Sequence, residues 1–223
     1  MLSMLYAEDV LPHSPVRIGL FGIGLETYWP QFAGLKERLE GYLDRVERKL
    51  ARPGVEIVNL GLVDHPDRAY AAGRDFRRHD VELIFLYVTT YALSSTVLPV
   101  VMRAKVPVVV LNLSPTPAID YTRFHALPDR AQMTSEWLAY CGACPIPEIA
   151  NVFKRSGVRF HHVTGVLDDD PECWRKIDGW VDAARVAAGM FGNRLGLMGH
   201  TYSGMLDIEC DVTLHCSTFG THV

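Results

Sequence analysis

Five short apolar runs that alternate with helical segments constrain the fold of this chain more than any other feature. The runs cover residues 16–23, 55–62, 81–88, 106–113 and 158–163. The third and fourth are almost wholly apolar, as strands covered on both faces of a sheet are. The intervening segments place apolar residues at helical spacing between charges. This βαβ alternation predicts an α/β fold with a doubly wound parallel sheet of the flavodoxin or Rossmann kind.

Prolines and acidic residues predict where several helices begin. Pro30 suits the first turn of a helix whose apolar residues continue to Leu50. Asp168, Asp169 and Asp170 precede Pro171, which is typical of a capped helix start. Residues 114–129 contain three prolines and are predicted as a long loop of the kind that often carries function.

A second βα unit is predicted to begin near the end of the sequence. Residues 194–199, Arg-Leu-Gly-Leu-Met-Gly, have the pattern of its first strand. Such a unit cannot bury its apolar face without a second parallel strand. We therefore expect an N-terminal arm over residues 1–14, an α/β domain over 15–192, the beginning of a central α/β domain over 193–223, and a larger parent protein.

Composition and charge narrow the classes of partner. The 223 residues are 48% hydrophobic and 22% charged, with a formal net charge of −4. No basic run favours nucleic acid or an anionic membrane, and no apolar stretch approaches the roughly 18 residues of a membrane span. The first 14 residues lack the pattern of a signal peptide. Together with five scattered cysteines, this predicts a cytoplasmic protein with reduced thiols.

One motif of glycines and one motif of cysteines each resemble a known binding site only in part. Gly19, Gly22 and Gly24 have the wrong spacing for a dinucleotide fingerprint, so we interpret them as sites of close strand packing. Cys141 and Cys144 form a single C-x-x-C motif without the further ligands of a structural zinc site. Buried, inert thiols are the preferred interpretation of that pair.

Acidic, histidine and aromatic residues near strand ends are the remaining candidates. Residues 168–170 could bind a hard cation, although helix capping explains them sufficiently. His161 and His162 are adjacent on a strand and point to opposite faces, so one of them is expected to face the core. Tyr28 and Trp29 could stack on a sugar ring or pack a helix–sheet contact, and both alternatives stay open. These residues alone name no reaction.

Several motifs taken together resemble the N-terminal part of the L-arabinose isomerase and L-fucose isomerase-like family. They follow one another in the same order over residues 15–223. The matching segments are Ile-Gly-Leu-Phe-Gly-Ile-Gly-Leu-Glu-Thr-Tyr-Trp at 18–29, Val-Val-Val-Leu-Asn-Leu-Ser-Pro-Thr-Pro at 108–117, Glu-Ile-Ala-Asn-Val-Phe at 148–153, His-Val-Thr-Gly at 162–165 and Asn-Arg-Leu-Gly-Leu-Met-Gly-His at 193–200.

The resemblance implies a metal-dependent interconversion of an aldose and a ketose, with a pentose or deoxyhexose as substrate. In that family a divalent cation, usually Mn²⁺, is held by two glutamates and two histidines in the central and C-terminal regions. These ligands and the catalytic residues would lie beyond residue 223, so we expect this chain alone to bind no metal. The resemblance also implies a homo-oligomer, in which N-terminal domains complete the pocket of a neighbouring subunit.

Four substrate-binding positions follow from the resemblance: Tyr28, Ser114, His200 and Tyr202. Relatives often carry glutamine where this chain has Ser114, whose hydroxyl would reach less far, and glutamine also where it has Leu25. The alternative function is a non-catalytic sugar-binding or assembly module with paired Rossmann-like domains. Against that alternative, neither an export signal nor a helix-turn-helix is recognisable at the start of the sequence.

Overall fold

The computed structural model describes residues 15–191, 193–199, 202–205, 207 and 211–223. The chain divides into two compact units, Pro15–Trp180 and Val181–Val223. The larger unit contains a single parallel sheet, and the functional-site candidates near strand ends belong to it.

The larger unit is built on five parallel strands in the order β2-β1-β3-β4-β5. This is the strand order of flavodoxin-like folds, and it confirms the predicted doubly wound α/β architecture. All five predicted strands are present within a few residues of their expected limits. They are β1 Val16–Ile23, β2 Val55–Val63, β3 Leu83–Tyr87, β4 Val108–Ser114 and β5 Phe160–Val166.

Helices connect the strands and cover the sheet. The two long surface helices α1 and α2 place their apolar stripes against the sheet because those residues recur every three or four positions. The helices of the larger unit are α1 Leu35–Leu50, α2 Pro66–Arg78, α3 Leu98–Ala104, α4 Tyr121–His125, α5 Arg130–Leu138, α6 Ile146–Arg155 and the first half of α7 Pro171–Met190. The smaller unit contains the rest of α7 and α8 Val212–Phe219. Among the described residues, no helix is both long and apolar enough to cross a membrane.

Burial is greatest in the middle of the sheet and falls toward its edges. Every residue of β3 is buried, whereas Val163 is the only buried residue of the edge strand β5. His161 and His162 are both exposed, so the prediction that one of them faces the core is wrong. An edge strand has a neighbour on one side only, which leaves its side chains less covered than those of β3.

One irregularity lies on the opposite edge strand, β2. The register with β1 shifts between Leu20 and Gly22, where an extra residue of β2 is accommodated as a bulge. Gly61 within this bulge has a φ of +72°, a conformation that favours glycine. Its backbone N–H donates to Asn59 Oδ1 at 2.9 Å, and Asn59 Nδ2 donates to Glu47 Oε2 at 2.7 Å.

Helix α1 begins at Leu35, five positions after the predicted start at Pro30. One contact and one backbone conformation account for the later start. Trp29 Nε1 donates to Asp64 Oδ2 at 2.7 Å, which fixes residue 29 beside the end of β2. Gly34, directly before α1, has a φ of +80°, which is incompatible with a continuous right-handed helix through that position.

The strand predicted over residues 194–199 is not formed. This segment is irregular and exposed, and its one described β-bridge joins Arg194 to His222. Leu195 N–H donates to the His222 carbonyl at 2.7 Å, and His222 N–H donates to the Asn193 carbonyl at 2.9 Å. A strand requires a partner along its length, and His222 provides one for only a single position. The predicted beginning of a central domain over 193–223 stays a prediction.

Candidate functional site

The carboxyl ends of β1 and β3 mark the most favourable position for a ligand. These two strands are neighbours, and the chain continues from β1 and from β3 toward opposite edges of the sheet. In open α/β sheets, ligands bind beyond the strand ends at such a switch point. Residues 24–29 follow β1, and residues 88–92 follow β3. We refer to this position as the switch-point crevice.

Tyr28 is the central polar residue of the switch-point crevice. It ends a 3-10 turn, Glu26–Tyr28, and its half-buried ring lies edge-on to Phe32, with 6.0 Å between the ring centroids. Burial raises the pKa of the Tyr28 phenol above its ordinary value, and the nearby Tyr91 and Cys141 raise it further. The phenol is therefore protonated at neutral pH and can donate a hydrogen bond.

Trp29 directly follows the same turn and packs against the backbone of Gly24, the residue after β1. A Cβ added to Gly24 would lie 2.7 Å from the Trp29 ring, so only glycine allows the indole to approach this closely. The indole is thus held by its close packing on Gly24 and by the hydrogen bond from its Nε1 to Asp64. Of the two alternatives for Trp29, the structure supports a packing role.

The glycines of β1 serve packing as predicted. A Cβ on Gly19 would lie 2.8 Å from the ring of Phe76, and one on Gly22 would lie 2.7 Å from the side chain of Leu62. With Gly24 against Trp29, all three positions face protein side chains. A pyrophosphate requires open backbone at such glycines, and that space is filled here.

The segment between α5 and α6 forms the next wall of the crevice. Thr90 Oγ1 donates to the Leu138 carbonyl at 2.8 Å. A Cβ on Gly142 would lie 2.4 Å from the Val88 carbonyl oxygen, so glycine is required where this segment meets the end of β3. These contacts hold Cys141 near enough to Tyr28 to raise the pKa of its phenol. The sequence analysis did not predict that the segment between α5 and α6 packs beside the switch-point crevice. The one feature of the sequence that pointed to this close packing was the glycine between the two cysteines.

The cysteine pair differs from the prediction in one respect. Cys141 is buried, as expected, but Cys144 is exposed, so the interpretation of two buried thiols is wrong for Cys144. Residues 141–143 form a 3-10 turn, and Cys144 immediately follows it. The second cysteine is therefore placed on the outer side of a turn whose inner side is covered.

Ser114 lies at the end of β4 and takes part in the local structure of its loop. Its hydroxyl donates to the Thr116 carbonyl at 2.7 Å, and its own carbonyl accepts from Leu167 N–H at 2.8 Å. Because β3 lies between β1 and β4, Ser114 is separated from Tyr28 by one strand. The structure therefore brings Tyr28 together with Tyr91 and Cys141, and Ser114 is not part of that group.

Of the two remaining predicted residues, Tyr202 belongs to the smaller unit, where it is 69% exposed. His200 lies outside the described residues, so the structure contains no description of it.

The acidic run before α7 has the capping role predicted for it. Asp170 Oδ1 accepts from Cys173 N–H at 3.0 Å, and its Oδ2 accepts from Val166 N–H at 3.0 Å. These bonds lower the pKa of the Asp170 carboxyl. Asp168 pairs with Arg45 at 2.5 Å and with Lys49 at 3.4 Å. Its charge is thus balanced by two cations without a bound metal.

Potential metal ligands do not converge in the part of the chain that the structure describes. There, no three His, Cys, Asp or Glu side chains come close enough together to hold a metal ion. The manganese implied by the family resemblance has no ligand set among these residues. We therefore derive no chemical step through a metal on this part of the chain.

Comparisons with known proteins leave the family open. No protein-family model matches the chain, and no curated protein is significantly similar to it. One solved structure that aligns with it is an ABC transporter substrate-binding protein from Sphaerobacter thermophilus, at 16% identity and a TM-score of 0.30, over 77% of this chain and 53% of that one. The chain thus spans about half the length of that protein. At this TM-score the similarity carries no argument, and the isomerase resemblance stays a prediction.

Proposed function

We propose that this chain is the N-terminal portion of a metal-dependent aldose–ketose isomerase and that its switch-point crevice contributes to the sugar pocket. The observation that carries the proposal is that Tyr91 and Cys141 lie near enough to Tyr28, beyond the carboxyl ends of the strands, to raise the pKa of its phenol. Tyrosine hydroxyls and cysteine thiols are polar groups without a permanent charge. Uncharged donors and acceptors suit a neutral, polyhydroxylated ligand such as a pentose or deoxyhexose.

Tyr28 would orient the sugar rather than perform the chemistry. Its protonated phenol would donate a hydrogen bond to a sugar hydroxyl, while the packed rings of Trp29 and Phe32 keep the phenol in one orientation. The metal ligands and the carboxylates that move protons between the first two carbons are expected beyond residue 223. A homo-oligomer would place the Tyr28 crevice next to a neighbouring subunit's reaction centre.

The proposal is tested with the protein as its native source produces it. Intact mass is measured first, followed by turnover of L-arabinose and L-fucose with added Mn²⁺. A mass above 25.0 kDa together with isomerase turnover supports the proposal. The isolated 223-residue chain is expected to give no turnover under the same conditions, and robust turnover by a homogeneous preparation of it would contradict the expected location of the metal ligands.

The Tyr28→Phe variant tests the role of the crevice. It keeps the ring packing and removes the hydroxyl, so a loss of one neutral hydrogen bond worth about 0.5–1.5 kcal/mol is expected. This corresponds to an increase in KM of roughly 2- to 13-fold, with unchanged metal content. Tyr70→Phe is the matched control, because Tyr70 is exposed on α2 away from the strand ends. Unchanged kinetics in Tyr28→Phe would dismiss the pocket role.

Calorimetry separates the proposal from its alternative. If the native product gives binding heat with these sugars but no turnover with Mn²⁺, a sugar-binding module replaces the isomerase. If it gives neither heat nor turnover, an assembly module replaces it.

A further inference from the structure

Cys141 and Cys144 are in direct contact at the edge of the switch-point crevice. Their Sγ atoms lie 2.7 Å apart. The contact arises because the chain makes a 3-10 turn over Cys141–Ala143, in which Cys144 N–H donates to the Cys141 carbonyl at 3.4 Å. Side chains three positions apart nearly eclipse in a 3-10 turn, which brings the two sulfurs together.

The turn is held in place by its surroundings. Gly142 meets the Val88 carbonyl so closely that no side chain fits between them, and Thr90 anchors the residue at the end of α5. Cys141 is therefore fixed on the covered side of the turn. Cys144 is exposed, so its sulfur is accessible to a reagent in solution. The buried Cys141 sulfur contacts the Cys144 sulfur from the protein interior.

Two sulfurs alone do not make a zinc site. Structural zinc requires four ligands. In the described part of the chain no third His, Cys, Asp or Glu side chain joins this pair. A reaction between the sulfurs themselves is the remaining chemistry that a contacting C-x-x-C pair offers.

We propose that Cys141 and Cys144 are a redox-sensitive dithiol, which closes to an intramolecular disulfide by exchange with a low-molecular-weight disulfide such as oxidised glutathione. The inference rests on the sulfur contact and the difference in exposure, and it is independent of the proposed isomerase function.

The order of the two exchange steps follows from exposure. The Cys144 thiolate attacks one sulfur of oxidised glutathione, whose S–S bond breaks and releases one glutathione thiolate. Cys141 then loses its proton and attacks the Cys144 sulfur of the mixed disulfide, which releases the second glutathione. Two cysteine thiols are oxidised, one glutathione disulfide is reduced to two thiols, and the two cysteine protons end on the glutathiones.

The buried thiol is disfavoured in the first step. Burial and the contact with Cys144 raise the pKa of the Cys141 thiol above its ordinary value. Because the thiolate is the attacking form, Cys144 is the site of initial attack, and Cys141 reacts only with the mixed disulfide formed in contact with it.

Alkylation and peptide mapping test the proposal on the full chain. The protein is equilibrated with mixtures of oxidised and reduced glutathione, quenched with acid, alkylated with a maleimide and digested with trypsin. Both cysteines fall in one tryptic peptide, residues 131–154. As the oxidised fraction rises, this peptide is expected to lose both maleimides and the mass of two hydrogens, and dithiothreitol is expected to reverse the change.

Single variants identify each role. Cys141→Ser is expected to accumulate glutathione on Cys144, because the resolving thiol is missing. In Cys144→Ser, Cys141 is expected to stay free of glutathione. Cys173→Ser and Cys216→Ser are controls that should still form the disulfide. The proposal is overturned if Cys144 stays unmodified in Cys141→Ser. It is also overturned if, at glutathione ratios that modify Cys144 in that variant, the wild-type peptide keeps both maleimides or retains glutathione.

Discussion

Arg38 on α1 joins parts of the chain that lie 98 positions apart. Its Nη1 donates to Glu136 Oε2 at 2.5 Å and its Nη2 to Oε1 at 3.2 Å, while its Nε donates to Tyr42 Oη at 2.6 Å. The guanidinium also lies over the ring of Tyr140, at 5.6 Å from the centroid. One side chain thereby fixes α5 against α1, immediately before the turn that carries Cys141.

The Arg38–Glu136 pair predicts a pH-dependent contribution to stability. The hydrogen bonds from Arg38 lower the pKa of Glu136 below its ordinary value of 4.5. A carboxyl with a depressed folded-state pKa stabilises the fold above its unfolded pKa, and this stabilisation is lost as the pH falls through the folded pKa. Glu136→Gln is therefore expected to lower the free energy of unfolding by about 1 kcal/mol near neutrality and by less in acid.

Urea unfolding of the wild type and of Glu136→Gln, at several pH values above and below 4.5, checks this expectation. Glu40→Gln is the control, since Glu40 pairs with Lys36 at 4.0 Å on the surface of α1, the helix that carries Arg38. Its effect should be a few tenths of a kcal/mol at most. A difference between wild type and Glu136→Gln that does not change with pH would contradict the argument.

Local residue chemistry was predictable where partners are close in sequence. The capping role of Asp170 followed from its place before Pro171, because a cap and its helix are adjacent along the chain. The group around Tyr28 could not be predicted in the same way. Tyr91 and Cys141 follow other strands and helices, and no spacing in the sequence connects them to residue 28.

At the level of elements, α2 and α3 pack unusually closely at Gly73. A Cβ on this residue would lie 2.7 Å from Arg103 Cβ and 2.8 Å from the Val100 carbonyl oxygen. The backbone oxygen cannot move away without shifting α3. Gly73 therefore sets the distance between the two helices, although glycine is otherwise unfavourable inside a helix.

The same substitution in two helices is expected to have opposite effects. Gly73→Ala should destabilise the protein by about 1–3 kcal/mol, because the added methyl overpacks the α2–α3 contact. Gly41→Ala in α1 should stabilise it by about 0.5–1 kcal/mol, because no neighbouring atom lies within 4 Å of the added methyl. Equilibrium unfolding in urea measures both. Equal effects of the two variants would show that helix propensity, and not the helix contact, governs position 73.

Strands were easier to predict than helix limits. Strands β3 and β4 are buried on both faces, and this burial is visible in the sequence as a continuous run of apolar residues. The start of α1 depends on the bond between Trp29 and Asp64, two residues in different loops. The strand expected over 194–199 had the right local composition, but a strand also requires a partner, and composition does not show whether one is present.

For the whole molecule, burial predicts an order of local stability. All five residues of β3 are buried, α6 buries Ile149 and Phe153, and α8 buries none of its residues. Backbone amides are expected to exchange with solvent deuterium slowest in β3 and fastest in α8, because opening β3 exposes the most apolar surface. Mass spectrometry of peptides after exchange tests this order, with α6 as a helix of similar length to α8. Exchange in α8 as slow as in β3 would contradict it.

The bulge in β2 has a consequence for how copies of this protein behave when crowded together. An edge strand with a regular ladder is a template on which another chain can add a strand, and such additions lead to aggregates. In β2 the extra residue at the bulge interrupts the regular register, and Asn59 holds the bulge in place by donating to Glu47 and accepting from Gly61 N–H. We therefore expect the bulge at Gly61 to hinder strand-by-strand aggregation at this edge as well as to shape the strand.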